Sequence, residues 1–390
     1  MAERTDRTGQ PRRTPFRRAM TARNPDEEHR TATTLELFFD LCFVVAVSLA
    51  ATQLHHALAE GHAGHGLAGY LPVFFAIWWA WMNFTWFASA YDTDDLPYRL
   101  TTLVQIAGVL VLAAGVPNAF EGDFRVIVGA YIVMRLAMVG QWLRAAHADP
   151  PRRACSLRYA AGITVVQVAW VVWLWLPAPM VFFVLFALAE IAVPIWAERK
   201  SPTRWHAEHI AERYGLFTLI VLGESVLAAT TATQSAFGAG HDVAKLLTLS
   251  LAGLVIVFSM WWMYFDQPSP QQLLNSLRTS MVWGYSHLLV FASAAAVGAG
   301  LQVAVDYDTG EAHPPQLLAG YAIAIPVAVY VLMVWALQVR PTLPMPVSTA
   351  YPVTVVLLLL TPFTGAPVHV AAVLVALLVA VTVFARGRAF

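Results

Sequence analysis

Charge is scarce in this chain. Asp, Glu, Lys and Arg make up 12% of its 390 residues, about half the ~25% typical of a soluble domain, too few to solvate the surface of a globular protein this long. Cysteine is scarcer still. Cys42, in an apolar stretch, and Cys155, in a loop, are the only two, which excludes a disulfide framework and any Cys-based metal cluster. No GxSxG, HExxH, Walker A, GxGxxG or basic–aromatic pattern stands out. That argues against soluble-type catalysis and nucleic-acid binding, and no cofactor or metal is assigned. The zero formal net charge points to no polyanionic partner. A cleavable signal is also not expected. The first apolar run begins near Leu35, behind an Arg-rich leader, and reads as a span that stays in the membrane.

What the chain has in excess is apolar length. Hydrophobic residues reach 58%, and runs near 20 residues recur to the C-terminus, as bilayer-crossing helices require. The expected fold is an all-α, polytopic membrane bundle of about twelve helices. They run roughly over 35–58, 68–90, 101–120, 124–146, 157–176, 180–198, 211–231, 243–265, 281–305, 317–339, 347–364 and 368–385. Pro352 and Pro362 interrupt the eleventh, leaving eleven spans or a re-entrant piece as alternatives. Residues 1–30, rich in Arg, Thr and Pro, read as a disordered tail and 31–390 as one transmembrane domain.

Placing the tail inside sorts the charges. Every Lys and Arg except Arg125, Arg135 and Lys245 then falls in an inner segment, as the positive-inside bias demands. The expectation is a bacterial inner-membrane protein with both termini cytoplasmic. The start of the first span, LELFFDLCFVVAVSLAAT, also resembles that of the seventh, YGLFTLIVLGESVLAATT, and both would run outward. Two parallel six-helix repeats, 31–200 and 201–390, are consistent with this.

A charged side chain at membrane depth costs ~2.5–3.5 kcal/mol or more on insertion scales and persists where it pairs or lines a wet cavity. The residues that stand out are Glu36, Asp40, Arg135, Glu190, Glu224 and His287. Glu36 and Asp40 share a helix face near the inner end, where the helix dipole favours carboxylates. At ~1.5 Å per residue, Asp40 lies roughly 8 Å deep, Glu190 and Arg135 about 12–14 Å, and Glu224 near 18 Å. Arg135 offers a permanently charged fork, so it is expected to pair with Asp40, Glu190 or Glu224. Pro194 frees the backbone carbonyl of Glu190. Glu224 follows Gly223, and an unpaired carboxylate there could exchange protons. The loop residues Asp92, Asp94 and Asp95 face a second inner loop bearing Arg199, Arg204, His206, His209, Glu212 and Arg213, which together could form a cytoplasmic gate. His206, His209 and Glu212 have metal-capable spacing, but the start of a solvated helix is the default reading. Trp78, Trp79 and Trp81 sit in mid-span beside Asn83, where packing accounts for them.

Three motifs in order, TTLELFFDLCFVVAV, YDTDDLPYR after a Trp-rich span, and HIAERYGLFTLIVLGES, with YSHLLVFASAAAVGAG in the ninth span, resemble the bacterial low temperature requirement protein A family over about residues 30–385. The resemblance marks Glu36, Asp40, Asp92, Asp94, Asp95, His209, Glu212, Arg213, Glu224 and His287 as family-pattern positions. It departs where ASAYDTDD lacks the Asn-Arg-Phe run that often precedes the acidic cluster. The family name implies a link to growth in the cold and lends no biochemical activity.

Three functions stay open on the sequence. A secondary transporter or ion-coupled permease for a small polar solute or ion, with the proton a candidate, fits the many spans and buried carboxylates. An intramembrane enzyme acting on a lipid-borne substrate would use Asp40, Glu224 or His287 as acid or base. A non-catalytic membrane component needs only the bilayer as partner.

Overall fold

The computed structural model describes residues 16–25, 27, 30–176, 180–238, 243–266 and 276–387. These residues form helices α1 (Thr34–Ala59), α2 (Ala63–Tyr91), α3 (Leu96–Ala114), α4 (Val116–Phe120), α5 (Arg125–Ala148), α6 (Arg153–Trp173) and α7 (Val181–Glu198), followed by α8 (Ala207–Gly238), α9 (Val243–Phe265), α10 (Leu277–Thr309), α11 (Gln316–Val334), α12 (Met345–Ser348), α13 (Ala350–Leu360) and α14 (Pro367–Gly387). Among the described residues, 11 helical segments are long and apolar enough to cross a membrane. Their outer faces are correspondingly greasy: Leu136 on α5 is 65% exposed and Val165 on α6 is 68% exposed. Water would penalise such faces and lipid accepts them.

The eleventh expected span is the one that differs. It is replaced by α12, a break at Thr349, α13 and a 3-10 turn over Thr361–Phe363. Pro352 has no N–H for the carbonyl of Ser348, so the first turn of a continuous helix cannot close there. The N-terminal segment also departs from expectation. Residues 1–15 lie outside the described residues, but from Phe16 the chain is held by specific bonds. Met20 is 1% exposed, and the Arg23 N–H donates to the carbonyl of Ala90 at 2.9 Å.

By internal contacts the chain divides into two compact units. The first comprises Met1–Cys42, Ala80–Leu112 and Phe124–Ile210, the second Phe43–Trp79, Ala113–Asp123 and Ala211–Phe390. This differs from halves meeting at residue 200, because α1 and α2 each contribute to both units. In the first unit α6 packs on α5 and α7, and a Cβ at Gly162 would stand 2.7 Å from Val193. In the second, α10 packs on α11 and α9 on α14. There the backbones of Gly300 and Ala322 approach so closely that no Cβ fits between them.

Candidate functional site

Most of the intramembrane charge belongs to the first unit, and its geometry starts at a cap. Thr33 and Glu36 form a reciprocal capping box: the Thr33 N–H donates to Glu36 Oε2 at 2.7 Å and the Glu36 N–H to Thr33 Oγ1 at 3.3 Å. Two N–H groups at the start of α1 are thereby satisfied. The other oxygen, Oε1, lies 3.2 Å from His209 Nε2, and both side chains are buried. One turn on, Asp40 is 1% exposed and accepts the Trp81 indole N–H at 2.7 Å. Trp81 is thus a hydrogen-bond donor as well as a packing residue. Phe39 stacks on Phe84 with ring centroids 3.9 Å apart, sealing the layer beside it.

Arg135 meets Glu190 at 3.4 Å, with the two side chains 4% and 2% exposed, and its guanidinium lies 5.2 Å from the Tyr131 ring centroid. Of the three expected partners, Glu190 is the one the structure supplies.

The acidic turn between α2 and α3 is a second cluster of the same unit. Asp95 Oδ1 accepts the Tyr98 N–H at 3.0 Å and so caps α3. Its Oδ2 accepts from Arg144 Nη2 and from the Arg18 backbone N–H, both at 2.8 Å. Asp94 takes Arg99 Nε at 2.8 Å, and Asp92 takes Arg23 Nη1 at 3.3 Å. Arg30 donates to the carbonyls of Ala88 and Ser89, groups that the end of α2 would otherwise leave unsatisfied. Burial and the nearby Glu36 carboxylate push Asp92 up to about 6, against the pull of Arg23 and Arg30. Burial pushes Asp95 upward too, but the N–H groups of Arg18 and Tyr98 and the Arg144 charge hold it below the usual carboxylate range.

The cations of this cluster therefore come from the N-terminal segment, α3 and α5. The expected loop around 199–213 contributes differently. The backbone N–H of His206 donates to Ser89 Oγ at 3.0 Å. The Nδ1 atom of His206 accepts the His209 N–H at 3.2 Å, capping α8, while its Nε2 lies 2.9 Å from the carbonyl of Glu27. Both ring nitrogens of His206 are thus engaged in hydrogen-bond contacts. Arg18, Arg23 and Arg30 were missed because an Arg-rich, apolar-poor leader reads as solvated chain, and Arg144 because it sits at the end of an apolar span.

The second unit is built otherwise. Glu224, near the middle of α8 and 7% exposed, accepts the Ser48 hydroxyl at 3.1 Å. The neighbouring Ser225 hydroxyl donates to the carbonyl of Ala294 at 3.0 Å. A Cβ at Gly298 would stand 3.4 Å from Ser225 Cα, so α10 passes α8 backbone to backbone at this level. His287 is fully buried, its Nδ1 2.7 Å from the carbonyl of Trp283 and its Nε2 3.1 Å from the Tyr264 hydroxyl. A carbonyl only accepts, so Nδ1 carries a proton. Tyr214 and Phe291 close the ring cage at centroid distances of 4.9 and 5.6 Å. Arg213, also of this unit, is fully buried, and Glu212 is half-buried.

An uncharacterized protein of Rhizobium meliloti is 30% identical over 322 residues, 76% of this chain and 73% of that protein. No solved structure matches the chain. The model of the bacterial low temperature requirement A protein (LtrA) family matches residues 31–385. With nearly its whole length matched and eleven segments fit to cross a membrane, this multi-span membrane protein belongs to the LtrA family.

Proposed function

We propose that the chain is an ion-coupled secondary transporter of a small polar solute or ion, in which Glu224 is the coupling carboxylate. One observation carries the reading. Glu36 has a histidine at 3.2 Å and Glu190 an arginine at 3.4 Å, whereas the partner of Glu224 among the described residues is the neutral Ser48 hydroxyl. A carboxylate sited at membrane depth without a cation can take up and release a proton or cation as its surroundings change. The basic residues concentrated on alternate loops support an inner-membrane placement with both termini cytoplasmic. On that topology the broken helical run from Met345 to Phe363 is the eleventh of twelve crossings, since its 19 residues reach about 28 Å at ~1.5 Å each.

The test is flux. Proteoliposomes carrying an entrapped pH-sensitive dye are presented with panels of amino acids, organic cations and inorganic ions under an imposed pH gradient. A solute that drives proton movement through wild type, and not through Glu224→Gln, is the expected result. Equal flux through the variant removes Glu224 from the mechanism. A second reading, a non-catalytic membrane component, draws support from the first unit, where the buried charges have partners. It is favoured if no solute in the panels moves protons.

A further inference from the structure

Beside the acidic turn, in the first unit, lies a cavity of about 740 Å³ with a cationic rim. Arg17, Arg18, Arg144 and His147 line it, with Met20 and Leu143 as its apolar part. Arg144 is spoken for by Asp95 at 2.8 Å. The guanidinium of Arg18 reaches only the carbonyl of Thr93 at 3.5 Å, and Arg17 has no carboxylate within ion-pair distance among the described residues. The rim therefore carries positive charge that the described residues do not answer. The nearby Asp149 does not answer it either, being buried and paired with Arg152 at 3.2 Å. The last carbonyls of α5 point the other way electrostatically, and the two guanidinium groups of Arg17 and Arg18 outweigh that half-charge.

The cavity is also continuous with a lipid-facing stripe. Val133, Leu136, Gly140, Leu143 and His147 follow one another on a single face of α5 and are exposed. At Gly140 a Cβ would meet nothing within 4 Å. The glycine leaves a shallow channel from the apolar stripe to the cationic rim. A free anion has no use for such a channel, whereas an amphiphile does: guanidinium groups match phosphate oxygens in geometry and charge, and apolar side chains match an acyl chain. Basic pockets at the edge of membrane helices suit anionic headgroups for this reason. We propose that the cavity at the end of α5 binds the headgroup phosphate of an anionic phospholipid, with an acyl chain lying along the α5 stripe past Gly140.

The experiment uses the full chain in detergent, exchanged against phosphatidylglycerol, phosphatidylcholine or inorganic phosphate, with retained lipid read by native mass spectrometry and binding by thermal shift. Wild type is expected to retain phosphatidylglycerol over phosphatidylcholine by about tenfold or more, as two headgroup-facing arginines imply. Arg17→Gln with Arg18→Gln should erase that preference, and Arg17→Lys with Arg18→Lys should keep most of it. Gly140→Phe, which fills the channel and leaves every charge in place, should weaken phosphatidylglycerol retention alone. Undiminished preference in the glutamine variant overturns the proposal. So does a thermal shift from inorganic phosphate that equals the lipid's and is unmoved by Gly140→Phe, since the site then takes a free anion.

Discussion

The two units bury polar groups in different ways. In the first, carboxylates are answered by named donors: Glu36 by the Thr33 N–H and His209, Asp40 by Trp81, Glu190 by Arg135, and Asp95 by Arg144 and two N–H groups. In the second, tyrosine hydroxyls and a histidine supply several of the buried polar bonds: Tyr70 donates to the carbonyl of Ala292 at 2.7 Å, Tyr330 to that of Met260 at 3.0 Å, and Tyr264 lies against His287. Glu224 differs from the paired carboxylates of the first unit in resting on a hydroxyl. Paired charges make a rigid framework, because breaking a pair strands an ion in a medium that cannot solvate it. A carboxylate resting on a hydroxyl loses little by changing its protonation state. On the proposed function, the first unit is scaffold and Glu224 in the second carries the exchange chemistry.

The comparison can be broken at several points. Arg135→Ala leaves Glu190 buried alone and should cost about 3–5 kcal/mol, read as the shift in a reversible denaturation curve in detergent. The double replacement Arg135→Met with Glu190→Leu should recover most of the loss. A neutral single variant would show that the first unit does not depend on its charges. In the second unit stability should respond to shape. Gly300→Val has no room against Ala322 and should cost at least about 1–3 kcal/mol, by the same measurement.

Smaller effects separate the two aspartates of the acidic turn. Asp92 is raised to about 6, above the usual carboxylate range, so between the ordinary aspartate value and 6 the folded protein binds the proton more tightly than the unfolded chain does. Its contribution to stability is present at low pH and is lost as the pH climbs through that window. Asp92→Asn should therefore match wild type near pH 4 and gain on it by about pH 7. Asp95, held below the usual range, has the opposite sign: its ionised form stabilises the fold above the ordinary carboxylate pKa, and the benefit disappears on acidification. Parallel pH profiles for both asparagine variants would sink this contrast. The smallest expected change is Glu224→Gln. The amide keeps an acceptor for Ser48, so stability should move by less than about 1 kcal/mol while coupled flux is lost. A large stability loss would make Glu224 one more structural residue.

Much of the fold was legible because bilayer-length apolar runs carry a strong periodic signal. The Val243–Phe265 helix has the very limits read from hydropathy, and Thr33 with Glu36 spells a capping box in four letters. The Arg135–Glu190 pair was within reach because depth along a helix follows from counting residues. What stayed hidden needed tertiary information. Arg18 and Arg23 sit in a segment without apolar periodicity, and nothing local says that its arginines meet Asp92 and Asp95 some seventy residues on. The capping role of His206 is equally invisible until the helix start is known. Ser48, a single hydroxyl in an apolar run, gives no hint that it faces Glu224.

Asp94 adopts a φ of +49°, the left-handed region that most side chains avoid. Its N–H folds back onto Asp92 Oδ1 at 2.9 Å, the local bond that makes such a backbone tolerable for an aspartate. Saturation mutagenesis at this position should therefore return a very short alphabet. Asparagine and glycine survive, the latter without the bond to Arg99, while valine and isoleucine are rejected for the shape of their backbone whatever their hydrophobicity.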